Sequence, residues 1–503
     1  MSAAVRADEA ADAAGNALTT PLLTTVVVTG SSIYSPPQLF TAYSPQLGAP
    51  ISVASARAVS SSLTELYASD GYVRPEIRLD DTLTGHGVLG VSVFEAQITS
   101  VVFEGEPGRH RAKLERIARD LQAARPLRSD DVPQALRAMR SIAGLAVTAT
   151  TRRDAVVRNG FELVVKADYT PVDGVVRMNN RGTDQVGPNF MIGQLFANGL
   201  FGGRQKIGLI FAAANDTEEY LGGGLYLDAP LGDGGARANA LVFRSRSAPN
   251  EAPVNFDYEY TRDRATLKFS LPLHQGSASA FSFSGGFEAD DLTIDRAGAI
   301  FREDRLRIAE AALRSNWRSA HAVQYSANLT LRKGFDGFGG GLQAADLAVD
   351  HRRADFLLTQ LTAIVYRRLG ERWSARLDAF AQHTGHVLPD SERFKIGGDR
   401  LGRGFEVAEI AGDRGIGGKL ELRREVANTE SFAGRVSAYG FYDIGAAWKQ
   451  DIPGRESAAT AGTGLAIQGA ALSGYVEVAA PLTGPDVEGK RNASVFAELA
   501  YRF

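Results

Sequence analysis

QYSANLTLR (residues 324–332), RWSARLDAFAQ (372–382) and SVFAELAYRF (494–503) alternate apolar and polar residue by residue. Successive side chains of a strand face opposite ways. Tyr325, Ala327, Leu329 and Leu331 therefore share one face, and Gln324, Ser326, Asn328, Thr330 and Arg332 the other. Trp373, Ala375, Leu377, Ala379 and Ala381 likewise oppose Arg372, Ser374, Arg376, Asp378 and Gln382, and Val495, Leu499, Tyr501 and Phe503 oppose Ser494, Glu498 and Arg502. A soluble sandwich also buries one face of such strands, so alternation alone does not choose between water and lipid.

Outward from these stretches, about sixteen segments of roughly ten residues run from Gly174 to Phe503, the length a tilted strand needs to cross hydrocarbon. The connections break the tie. One set is short (near Phe201-Gly202-Gly203, Leu369-Gly370-Glu371 and Gly469-Ala470) and the other often long, at residues 247–263, 334–356, 387–414 and 482–493. Tight turns at one end and extended loops at the other are the asymmetry of an outer-membrane barrel. An even strand number returns the chain end to the side of the N-terminal modules. Of 503 residues 54 are Gly and none is Cys, and mean hydropathy is −0.13. This composition suits a barrel in which every second wall residue meets lipid, and no apolar run reaches the about 18 residues of a membrane helix. Met1 to Leu18 lacks the basic start and apolar core of an export signal, so a signal is expected to have been removed or to lie upstream.

Two modules precede the barrel, each read as β-α-α-β-β. TTVVVTG (24–30) is followed by a segment opened by Pro36-Pro37, by the helix SVASARAVSSSLTELYAS (52–69) with Ala56, Val59, Leu63 and Leu66 on one face, and by two strands. The order repeats with QITSVVFEG from Gln97, RAKLERIARDL, a helix after Ser129 with Pro133 in its first turn, LAVTATT and FELVVKAD. Adjacent copies of one pattern are a repeat. LTELYASDGYVRPEI (63–77) and VFEAQITSVVFEG (93–105) resemble the helix-Tyr-x-x-x-Gly-Tyr turn and the module junction of POTRA domains. The domains expected are a tail at 1–21 (a remnant of a plug helix or linker), POTRA modules at 22–96 and 97–170, and the barrel at 171–503. About twenty residues are too few for a complete plug helix and its tether.

FKIGGDRLGRGFE (394–406) resembles the F-x-[IL]-GG-x-x-x-x-RG-[FY] element of two-partner secretion transporters of the haemolysin and filamentous haemagglutinin type. Phe394, Gly397, Gly398, Arg403, Gly404 and Phe405 match; Gly402 stands where the family usually has Val and is expected to loosen the loop tip. FYDIG (441–445) resembles the family's [FG]-x-D-x-G element, supplying Phe441, Asp443 and Gly445. The resemblance implies that loop 388–414 folds into the lumen and sets Arg403 against Asp443. Parity supports this, because if Tyr442 and Ile444 meet lipid, Asp443 faces inward. Phe503, with Tyr501, resembles the C-terminal signature read by the barrel assembly machinery.

The fold expected is thus mostly β, a sixteen-stranded antiparallel transmembrane barrel behind two small α/β POTRA modules. The resemblance implies an outer-membrane translocator, monomeric, whose modules recognise a secreted partner exoprotein. The alternatives are an assembly or insertion factor of the same superfamily, a passive porin and an outer-membrane enzyme. No Gly-x-Ser-x-Gly, His-Glu-x-x-His or phosphate-loop motif occurs, so no catalytic residue, cofactor or metal is expected, and His383 and His386 are read as solvated rim. A net charge of −3 gives no reason to expect nucleic acid.

Overall fold

The computed structural model describes residues 21–80, 86–183, 186–200, 203–232, 234–249, 257–276, 278–344, 351–429, 434–485 and 492–503. The expected tail, apart from Pro21, and part of the turn at Phe201-Gly202 lie outside them. The chain divides into two compact units, one of residues up to Arg140 with Leu145–Tyr169, the other of Ser141–Gly144 with Thr170–Phe503.

The first unit holds two three-stranded sheets. Thr25–Thr29 pairs parallel with Val88–Phe94, which pairs antiparallel with Glu76–Asp80. Gln97–Glu104 and Leu145–Arg153 flank Gly160–Tyr169 in the same way. Each sheet carries two helices, Pro36–Tyr43 with Val53–Ser69 and Arg111–Ala123 with Asp131–Arg140. Val53–Ser69 starts where Ser52 and Ser55 exchange side-chain and backbone bonds at 3.1 and 2.9 Å, a reciprocal cap that satisfies two orphan N–H groups. It ends at Asp70 and Gly71, the latter at φ +83°. Its buried stripe is Ala56, Val59, Leu63 and Tyr67, so Tyr67 and not Leu66 completes it. A buried phenol needs a partner, and the Tyr67 hydroxyl donates to Glu95 at 2.7 Å. Glu95 also accepts from the Ser32 backbone N–H at 2.8 Å, fastening the first strand's exit to the module junction.

The second unit is a closed antiparallel barrel of sixteen wall strands. Its ring closes where the first strand, Val172–Asn179, meets the last, Ser494–Arg502. Backbone bonds of 3.0 and 3.1 Å between Gly174 and Phe503 extend that seam, and the rings of Tyr501 and Phe503 stack at 6.1 Å. Leu329, Leu331, Leu377, Val495 and Leu499 are exposed on the outer face, whereas Thr330, Arg332, Asp378 and Gln382 are buried on the inner one. Phe380 breaks the rule; it is apolar yet buried on the inner face.

Two expectations about the wall need correction. Tyr258–Gln275, Ser279–Arg296 and Ala299–Arg318 run to 18, 18 and 20 residues, well beyond ten. Residues 258–263, expected within the long connection 247–263, are strand; Arg262 pairs with Asp290 and Arg246 with Glu259 at 2.7 Å across the ladder. Charge facing charge across strands lets a polar sequence stay extended. The last two of these strands join through Ala297-Gly298 at φ +53° and +81°, the positive-φ pair that a two-residue hairpin demands.

Candidate functional site: the lumen loop and its lock

The segment 385–413 joins Trp373–Thr384 to Arg414–Asn428 and folds back against the inner wall. Its limbs form a small ladder, Phe394–Ile396 with Ile410–Gly412. Phe394, Ile396, Leu401 and Ile410 are buried in one cluster with Phe380, Ala447 and Ala458 of the wall. The out-of-pattern Phe380 is therefore the wall's apolar contact with the loop. Opposite these knobs the wall is glycine. A Cβ on Gly445 would lie 2.9 Å from Ile396 and 3.0 Å from Leu401, and one on Gly415 or Gly417 would collide with Phe394 or Leu401.

The tip turns through Gly397 and Gly398, at φ +117° and +90°, and a Cβ on Gly397 would overlap the Glu406 carbonyl. Gly404 lies against the backbone of Ala480 and Pro481, where a Cβ would be 3.1 Å away, and the Phe405 ring lies beside Gly484. Gly402 does not loosen the tip. It sits at φ +85° with a would-be Cβ 2.9 Å from Ile396, and its N–H donates to Asp443 at 3.2 Å. The position requires glycine because of a left-handed backbone pressed on the neighbouring turn.

Arg403 is 5% exposed and Asp443 fully buried. Arg403 Nε and Nη2 donate to the two Asp443 oxygens at 3.0 and 2.9 Å, and the Arg403 backbone N–H adds a third bond at 3.2 Å. The guanidinium lies over the Phe441 ring at 3.5 Å. A planar fork on a carboxylate, stacked on an aromatic face, is the geometry in which Arg is not interchangeable with Lys. The structure thus brings Arg403, Asp443 and Phe441 together, with Gly397, Gly398, Gly404, Phe405 and Gly445 around them. Tyr501 and Phe503 belong to the seam instead.

Several participants are absent from the motif. Arg403 Nη1 donates to Glu421 at 3.1 Å and stands 3.8 Å from Glu477, which accepts from the Tyr439 hydroxyl at 2.8 Å. Glu421 and Glu477 do carry a visible signal, each being a lone acid between outward apolar neighbours in KLEL and YVEV. The loop's incoming limb has a second anchor. Glu392 accepts from Arg332 Nε and Nη2 at 2.9 and 3.0 Å, and Arg332 also reaches Glu310 at 2.6 Å and Glu288 at 3.4 Å. At the outgoing end the fully buried Asp413 accepts from the N–H groups of Leu388 and Gln450 at 2.8 and 2.7 Å.

A family model described as the haemolysin secretion/activation protein ShlB/FhaC/HecB matches residues 162–469. The chain belongs to this family. Members of the ShlB/FhaC/HecB family are two-partner secretion transporters of the outer membrane, and the barrel places this chain in that membrane with them. The outer membrane transporter CdiB of Dickeya dadantii (strain 3937) is 21% identical over 435 residues, covering 83% of this chain and 75% of the relative. Among solved structures, CdiB from Escherichia coli has a TM-score of 0.78 at 19% identity, over 97% of this chain and 92% of that one. CdiB from Acinetobacter baumannii gives 0.67 at 14% identity over 96% and 90%. BamA from Haemophilus ducreyi lacking POTRA domains 1–3 gives 0.54 at 13% identity over 96% and 100%, a likeness of fold.

Proposed function

We propose that this transporter secretes one partner exoprotein, received in the periplasm by the two POTRA modules and threaded through the lumen to the cell surface. The observation that carries the reading is the inward loop, docked by Arg403 on Asp443. A loop docked on the inner wall by a buried ion pair, a second ionic anchor and a small apolar cluster is what a gate in a protein conduit calls for. The loop-bearing rim is then extracellular and the short turns periplasmic. Among the described residues Leu145–Arg153 has a ladder partner on one side only, Gly160–Tyr169, which leaves an edge for an unfolded chain to join as a further strand. No ATP is available there, so folding of the exoprotein outside supplies direction. Each wall strand has a neighbour on both sides, so no sheet edge calls for a second copy of the chain. Phe503 closes the seam with its backbone, which gives the C-terminal signature proposed for the barrel assembly machinery a physical task.

The test is export of a partner exoprotein co-expressed with this chain, after deletion of residues 22–170. The truncated barrel is expected to insert and to leave the partner in the periplasm. Full export by the truncated form would overturn the assignment of docking to the modules, and normal export with altered insertion of other barrels would favour the assembly factor.

A further inference from the structure

The seam is the barrel's thinnest join, with five paired residues against eight in the neighbouring ladder. Just beyond its upper end, Asn180 stitches the first strand to the last. Its side chain donates to the Val495 carbonyl at 2.9 Å and accepts from the Ala497 N–H at 2.7 Å. The next residue, Arg181, turns inward. Its Nε donates to the Tyr475 hydroxyl at 2.7 Å, its guanidinium lies over the Phe496 ring of the last strand at 4.1 Å, and its Nη2 bonds Glu477. Glu477, 3% exposed, turns its other oxygen to Tyr439 at 2.8 Å and to Arg403 at 3.8 Å. Cations and carboxylates thus alternate from the seam to the loop tip: Arg181, Glu477, Arg403, then Asp443 and Glu421.

We propose that Arg181 is a positioning residue that, through Glu477, couples closure of the seam to docking of the loop. The coupling has a definite sign. With the loop in place, Arg403 stands 3.8 Å from Glu477 and Gly404 lies on Ala480 and Pro481 of the same strand, and the Arg181 pair, its side chains 9% and 2% exposed, acts in a dry setting where an ion pair counts for most. When the loop tip leaves, water reaches Glu477 and the pair weakens toward that of an exposed ion pair. Loss of Arg403 as a competing cation works the other way, but at 3.8 Å it is the weaker contact. Releasing the loop therefore loosens the seam, and by reciprocity loosening the seam favours release of the loop. The inference concerns the barrel's own energetics, so it stands whether or not the exoprotein reading does.

Hydrogen exchange of the seam strands, residues 172–179 and 494–502, tests this in purified barrels whose folding is checked by gel mobility without heating. Arg181→Ala and Glu477→Gln are each expected to speed seam exchange, and Arg403→Ala to speed it by about fivefold, the low end for coupled sites. In the Glu477→Gln background, Arg403→Ala is expected to add nothing. Arg181→Lys, which keeps the charge and loses the fork, should recover only part of the protection. Should Arg403→Ala free the loop to protease while seam exchange stays at the parent rate, the coupling is refuted. It is refuted equally if Arg403→Ala speeds seam exchange by the same factor with and without Glu477. If Arg181→Ala fails to fold, the Glu477→Gln and Arg403→Ala pair still decides.

Discussion

The loop's two ionic anchors have opposite polarity. At the tip the cation rides on the loop, Arg403, and the carboxylates sit in the wall; on the incoming limb the loop supplies the acid, Glu392, and the wall the cation, Arg332. The difference that matters is what braces each pair beyond its charges. At both anchors the neighbouring wall acids have second cations: Arg264 on Glu288 at 2.7 Å and Lys268 on Glu310 at 2.8 Å around Arg332, Arg423 on Glu421 at 2.9 Å and Arg181 on Glu477 around Arg403. One carboxylate at each, Glu392 or Asp443, has a single bonded side-chain cation among the described residues. Asp443 also accepts from the N–H groups of Gly402 and Arg403, and the Arg403 guanidinium lies on Phe441, whereas the Glu392 carboxylate is bonded, among the described residues, by the Arg332 side chain alone. On the proposed gating, the tip is the latch and the incoming limb the hinge.

The largest effect is expected at the latch. Arg403→Ala strands a buried carboxylate, a change that costs about 3–5 kcal/mol in comparable buried pairs; the loop should become open to added protease and export should fall steeply at equal amounts of inserted barrel. Retention of a protected loop would show that the apolar cluster, not the ion pair, holds the tip. Arg332→Ala should have a smaller effect, about 1–3 kcal/mol, because the carboxylate it leaves without a cation, Glu392, is 7% exposed where Asp443 is 0%. Measured by the same protease assay, an effect as large as that of Arg403→Ala would erase the distinction between latch and hinge. Similar in predicted size to Arg332→Ala is Gly402→Val, about 1–3 kcal/mol from backbone strain with the contact on Ile396 added, read as loop exposure with Arg403 unchanged. Improved docking would mean that the tip can relax around a side chain.

Much of this molecule is legible from period and spacing. The wall strands show because lipid and lumen demand opposite residues at every step, and Arg403 and Asp443 because their motifs are local. Other features escape for stated reasons. Strand height is hidden when charges pair across a ladder, as Arg262 and Asp290 do, because the partners lie 28 positions apart in sequence. The anchor between Arg332 and Glu392 joins positions separated by 60 residues, and parity can say that each faces inward but not that they meet. Gly402 looks like slack because a missing side chain suggests freedom, whereas its φ of +85° marks a tight fit. In the helix Val53–Ser69, Leu66 looks like core on hydrophobicity, but the burial stripe runs through Tyr67, whose hydroxyl finds Glu95.

The three tall strands carry a consequence for whatever meets the cell from outside. Eighteen residues span about 60 Å along a strand at ~3.3 Å each. Tilted by about 45°, that is roughly 40 Å of height against an apolar band of about 25 Å. On the proposed orientation the surplus stands clear of the lipid tails. Its outward row reads Arg244, Asp263, Asp291 and Arg305 on four neighbouring strands, with Arg244 3.4 Å from Asp263. An antibody or phage approaching on that side meets a stiff sheet whose surface is written across strands, so the epitope it reads is discontinuous and a linear peptide cut from residues 279–318 cannot reproduce it.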